Sequence, residues 1–190
     1  MNNKLILASS SPRRQELLKQ VRISYTLRKQ DFDESQISTA NPEDKVRQLA
    51  IHKGLGVPIH DNEIILSADT VVSYNQQIFE KPQNKEEAYQ MISALSGGIH
   101  EVFTGVMLRS EKQEKVFVER TKVEFWTLSD EEIQWYLLTD EPYDKAGAYG
   151  IQNTGAMFVK QIIGDYYNVV GLPISRVIRE LKHFSVFPRN

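Results

Sequence analysis

The chain has 190 residues, 41% of them hydrophobic, a formal net charge of −2 and no cysteine. That size and balance predict one domain with a real core. The missing cysteine excludes disulfides and thiolate zinc sites. The charge argues against a global basic field for nucleic acid, and no apolar run reaches the ~18 residues of a membrane span. No secretory pattern is read at the start, so a cytoplasmic protein is expected.

Residues 4–8 predict a buried strand that ends in Ser9, Ser10 and Ser11. Residues 11–20 then predict a helix with Ser11 as N-cap and Pro12 at the first helical position. A helix start after a strand offers free N–H groups and a positive dipole end, and Arg13 and Arg14 add charge. That combination suits a polyanion such as a phosphate chain. It also fits an ordinary capped helix with two solvated arginines. Residues 23–29 predict a second strand, followed by the acidic loop Asp31 to Glu34.

Asn41 and Pro42 open a helix with Val46, Leu49 and Ala50 at helical spacing, and Lys53 falls on the same face. A lysine there must snorkel or meet an anion. Residues 64–68 predict a short strand ending at Asp69 and Thr70, with Val71 to Ser73 continuing it. A carboxylate at a strand end suits a general base or a hard-metal ligand, and equally a turn aspartate. Glu34 could join Asp69 around Mg²⁺, or simply be solvated in its loop.

Asn75-Gln76-Gln77 predicts a hairpin turn. Asn84 with Glu87 predicts a capped helix with Ala88, Met91, Ile92 and Leu95 inward. Residues 100–108 and 115–127 predict paired strands. Ser129 and Glu132 form a capping box ahead of Ile133, Tyr136 and Leu137. The stretch from Tyr143 to Gln152 mixes glycine, tyrosine and an amide. It suits a base-reading loop, with Gln152 on a base edge, or a plain connection. Residues 158–163 predict a strand, and Gly171 to Pro173 open a last helix. Alternating helices and strands with an antiparallel insert predict an α/β fold on a mixed, twisted sheet. No P-loop, Gly-x-Gly-x-x-Gly or histidine metal spacing is present.

Several of these segments together resemble the Maf family of nucleoside triphosphate pyrophosphatases. The matching pieces, in family order, begin with Leu7 to Arg14 with Glu16 to Leu18, Phe32 to Glu34, the Ala50-x-x-Lys53 step and Ser67 to Val72. They continue with Glu80 to Pro82, Leu95 to Gly97, Tyr143 to Gln152 and Tyr167 to Pro173. The resemblance implies one Maf-like domain over 1–190. It implies an elongated fold like that of inosine triphosphate pyrophosphatases, with two lobes, a central cleft and helices flanking the sheet. It further implies hydrolysis of a nucleoside triphosphate to monophosphate and pyrophosphate with a divalent metal, Mg²⁺ or Mn²⁺.

Carried over residue by residue, Asp69 matches the general base. Ser9, Arg13, Arg14, Lys53 and Lys81 match the phosphate-binding set, and Glu34 with Asp69 the metal or site ligands. Arg13, Thr70 and Gln152 match positions that separate subfamilies. The subfamily so resembled acts on dTTP and UTP, with modified pyrimidine nucleotides as further candidates. Another, acting on 7-methyl-GTP, tends to carry Trp at the position of Arg13. Gly54, where alanine is usual, and Asn153 to Gly155 are the departures. A homodimer fits the resemblance; nucleic acid and membrane partners are not expected. The competing reading is a nucleotide-binding regulator of septum formation without catalysis.

Overall fold

The computed structural model describes residues 3–29 and 37–189. In chain order they form β1 (Lys4–Leu7), α1 (Pro12–Gln20), β2 (Tyr25–Leu27), α2 (Pro42–Leu55), β3 (Glu63–Tyr74), β4 (Gln77–Phe79) and α3 (Lys85–Leu95). Then follow β5 (Ile99–Arg109), β6 (Glu114–Phe125), α4 (Asp130–Tyr136), β7 (Val159–Ile163), α5 (Tyr166–Val170) and α6 (Ile174–His183). The sheet order is β2-β1-β3-β5-β6-β7, with β4 hairpinned onto β3. β1 is parallel to β2 and β3, and the remaining pairs are antiparallel. This is the mixed α/β sheet expected.

Most local signals act as read. Asn41 accepts from the N–H groups of Glu43 and Asp44, and Ser129 and Glu132 complete both halves of their box. Asn75 and Gln76 both take positive φ, which makes a two-residue turn whose twist matches its strands. Three differ. Glu87 accepts from Gln83 N–H, so Asn84 caps α3 without a reciprocal box. The strand expected over 23–29 is only Tyr25–Leu27, at the sheet edge. And α5, absent from the sequence reading, starts where Asp165 caps Tyr167 N–H.

Asp69 lies within β3, not at its end. The apolar run stops at Ala68, but β5 continues the ladder through Thr70 and on to Ser73 opposite Glu101. Alternation splits β3 between two faces. Ile65, Ser67, Asp69 and Val71 face α2: the Ser67 hydroxyl donates to Ala50 O at 2.6 Å, and Val71 clusters with Val46. Ala68, Thr70 and Val72 face the other way.

On that second face β3, β5 and β6 thread two apolar cores. One joins Leu5, Leu18, Leu66, Val106, Phe117 and Val177. The other joins Val72, Ile92, Val102, Phe125, Tyr136 and Phe158. Two lobes thus share one sheet. β1 covers residues 63–66 of β3 on its outer edge, and β4 covers 72–74. Among the described residues no strand covers 67–71 on that edge. The sheet is open at Asp69 and Thr70, between the lobes.

The second core also holds a buried base. His100 Nε2 and the Tyr149 hydroxyl share a 2.8 Å hydrogen bond, with Phe125 packed edge-on to both rings. Burial pushes the His100 imidazole down to about 3. Its folded value lies below the ~6.5 of an unfolded histidine. The neutral ring's stabilisation is therefore complete above about pH 6.5 and is lost as pH falls towards 3. His100→Gln removes this titration. Thermal melts should show the variant losing less stability than the wild type between about pH 7 and about pH 4.5. Equal losses would place the acid sensitivity elsewhere.

Candidate active site

A cleft of about 1290 Å³ opens between the lobes, lined by α1, α2, the middle of β3, the Glu80–Gln83 segment and the 144–153 segment. It exceeds the ~300–1,000 Å³ of ordinary small-molecule pockets, so it has room for an extended ligand. Its described lining carries seven lysines and arginines against five carboxylates. The chain as a whole is net acidic, so this basic excess is local and suits an anion.

Asp69 and Lys53 form the floor. Their 2.5 Å ion pair is 9% and 8% exposed, too little for water to solvate either charge alone. The pair follows from how α2 meets the sheet. Lys53 lies two turns beyond Val46, on the same buried stripe. Gly105 lets the helix in close, since a Cβ there would come within 2.2 Å of Val46 O. Lys53 thus meets an anion inside the protein rather than snorkelling out.

Across the sheet edge stands the start of α1. Ser11 occupies the N-cap position, but its side chain makes no capping bond. This differs from the expected cap: the Ser11 side chain does not cover the first-turn N–H groups, and Ser11 to Arg14 line the cleft. Ser9 Oγ accepts from Ser11 N–H and from Arg14 Nη1, both at 3.2 Å. Its own proton is left to donate outward. Arg14 Nε donates to Gly171 O at 2.8 Å, and Nη2 to Thr70 Oγ1 at 3.2 Å.

The rim pairs charges across the two lobes. Arg13 Nη1 meets Asp144 Oδ2 at 2.8 Å, and Lys145 Nζ meets Asp144 Oδ1 at 2.5 Å. Burial alone would push the Asp144 carboxyl up. Hydrogen bonds from Lys145 and Arg13 outweigh it and hold the carboxyl below its usual value. Lys45 Nζ meets Glu80 Oε1 at 2.6 Å. Lys81 is exposed at the opening and makes no ion pair among the described residues, and Gln152 is exposed on the far wall.

The structure therefore brings Ser9, Arg13, Arg14, Lys53, Asp69, Thr70, Lys81 and Gln152 to one cleft. Glu34 lies outside the described residues. Sequence reasoning passed over Lys45, Asp144 and Lys145. The last two sat inside a segment already singled out, and a lysine beside an aspartate was the signal available. The described residues hold no group of three His, Cys, Asp or Glu able to cage a metal ion.

The chain is similar to known proteins along nearly its whole length. The model of the Maf-like protein family matches residues 4–184. A Bacillus cytotoxicus protein named dTTP/UTP pyrophosphatase is 49% identical over 183 residues, covering 96% of each chain. A Bacillus mycoides protein of the same name is 48% identical over 183 residues, again covering 96% of each. Among solved structures, a nucleoside-triphosphatase / dITP/XTP pyrophosphatase from Mycobacterium abscessus overlaps with a TM-score of 0.40 at 12% identity, over 66% of this chain and 75% of that one. That overlap decides nothing about the site. The match from β1 to α6 takes in every cleft-lining segment described above, and the chain belongs to the Maf family.

Proposed function

We propose that this chain hydrolyses dTTP and UTP to the nucleoside monophosphate and pyrophosphate, with Asp69 as general base. The observation that carries the reading is the Asp69–Lys53 pair at the open edge of β3, facing a basic cleft in a net acidic chain. The names of relatives nearly half identical along the whole length support the substrate pair.

The chemistry needs a water aligned on the α-phosphorus and a stabilised leaving group. Asp69 takes the proton as the water oxygen bonds to phosphorus and the bond to the bridging oxygen breaks. Lys53 holds Asp69 Oδ1, which fixes the carboxylate's orientation. Arg14, the Ser9 hydroxyl and the uncapped start of α1 receive the pyrophosphate portion, where charge builds as it leaves. Lys81 adds a cation from the opposite rim. Arg13 and Gln152, both on the cleft lining, discriminate the base, Gln152 through an amide able to donate and accept.

A divalent cation fits in one form. Mg²⁺ binds through one or two carboxylates plus substrate phosphates and needs no protein cage. Asp69 can serve as such a carboxylate, and the described residues form no three-ligand set. When bound, the ion would neutralise phosphate charge and make water more acidic.

The test is product analysis of the purified protein with Mg²⁺ or Mn²⁺ against dTTP, UTP, CTP, GTP, ATP and 7-methyl-GTP. Monophosphate and pyrophosphate, formed fastest from dTTP and UTP, are expected. A purine preference would reject the assigned specificity. Thermal stabilisation by a nucleotide without pyrophosphate release would favour a binding regulator.

A further inference from the structure

Thr104 is fully buried in β5, directly opposite Thr70 in the β3 register. Its hydroxyl donates to Asn168 O at 3.1 Å, which uses its only proton. In the 2.9 Å contact between the two threonine hydroxyls, Thr70 is therefore the donor, and the other acceptor within reach of its proton, Gly171 O, lies farther away at 3.5 Å. Thr70 keeps its lone pairs for Arg14 Nη2. The relay runs one way, from the Arg14 guanidinium through Thr70 and Thr104 to the Asn168 carbonyl. Hydrogen bonds so aligned polarise and strengthen one another.

The far end is anchored. Asn168 Nδ2 donates to Val102 O and to Thr121 Oγ1, both at 3.0 Å, and the Thr121 hydroxyl donates to Asp165 O at 2.9 Å. These bonds fix α5, and the residue that ends α5, Gly171, supplies the carbonyl that receives Arg14 Nε. One short helix thus holds the guanidinium at two points, directly at Gly171 and through two threonines.

We propose that Thr104, which does not line the cleft, is a positioning residue that orients Arg14 for the phosphate chain through the Thr70 hydroxyl. This rests on the proposed triphosphate chemistry and deepens it. It also gives the Thr70 hydroxyl a task other than reading the base: losing it should slow all nucleotides alike and leave the pyrimidine-to-purine ratio unchanged.

The test uses Thr104→Val, Thr104→Ser, Thr70→Val and the double valine variant. kcat and KM for dTTP are measured alongside calorimetric binding of inorganic pyrophosphate, which needs no turnover. Thr104→Val is expected to lose about 10- to 100-fold in kcat/KM, since misplaced groups cost rate steeply, and about tenfold in pyrophosphate affinity. Thr104→Ser keeps the hydroxyl and should stay within about threefold of wild type. The double variant should be no worse than Thr70→Val alone, because both act through one relay. Wild-type behaviour of Thr104→Val, equal damage in Thr104→Ser, or multiplied losses in the double variant would each overturn the proposal. Should Thr104→Val not fold, Thr70→Val carries the test, and undiminished pyrophosphate binding there overturns it. A wild type that cleaves no triphosphate while the valine variants still weaken pyrophosphate binding would remove the functional reading and leave the relay standing.

Discussion

Asp69→Asn is expected to lower kcat for dTTP by about 10²- to 10⁴-fold, the range a positioned general base contributes. The change keeps the shape and leaves an amide oxygen for the Lys53 ammonium, so the fold should survive. Melting temperature and far-UV circular dichroism check that survival, and steady-state kinetics reads the loss. A variant retaining a tenth or more of wild-type turnover would remove Asp69 from the chemistry.

Lys53→Met should act first on stability. It leaves the Asp69 carboxylate buried without its ammonium, a change that costs about 3–5 kcal/mol in comparable buried pairs. Urea unfolding at neutral pH measures it. The deficit should shrink in acid, because losing the adjacent ammonium raises a buried carboxylate's proton affinity in the folded state, and protonation removes the buried charge. A loss under about 1 kcal/mol, insensitive to pH, would mean that the carboxylate is held or solvated without Lys53.

Both partners of that pair stood out in the sequence, yet their meeting did not. Lys53 was visible as a charge on an apolar stripe, and Asp69 as a charge in an apolar run. Joining them takes a helix laid across β3 and β5, and the permission for that is Gly105, an unremarked glycine on a strand not suspected of a role. The same limit hid the relay, for Thr104 is one β-branched residue among many in β5, and its meaning comes from a register set across two strands.

Local chemistry was read more reliably than its purpose. The serine and proline at α1 mark the helix start, but the cap they predict is not made by the Ser11 side chain. The apolar run ending at Ala68 reads as a strand that pauses at Asp69 and Thr70 before Val71 to Ser73 continue it, because a polar residue on the face under α2 looks the same as a turn; the structure has one unbroken strand. Gly54, a departure from family habit, has a plain reason: a Cβ there would lie 2.7 Å from both Met107 Sδ and Ser67 Oγ. The short α5 carried only the Asp165 cap as a signal, too little to mark five residues.

The most direct test of cleavage between the α- and β-phosphates is turnover of dTTP in ¹⁸O-labelled water, with products read by mass spectrometry and ³¹P NMR. With the pyrophosphate portion held by Arg14 and the start of α1, water attacks the α-phosphorus. The label should appear in dTMP, and the pyrophosphate should be unlabelled. Release of orthophosphate with dTDP, or label in the pyrophosphate, would contradict the account.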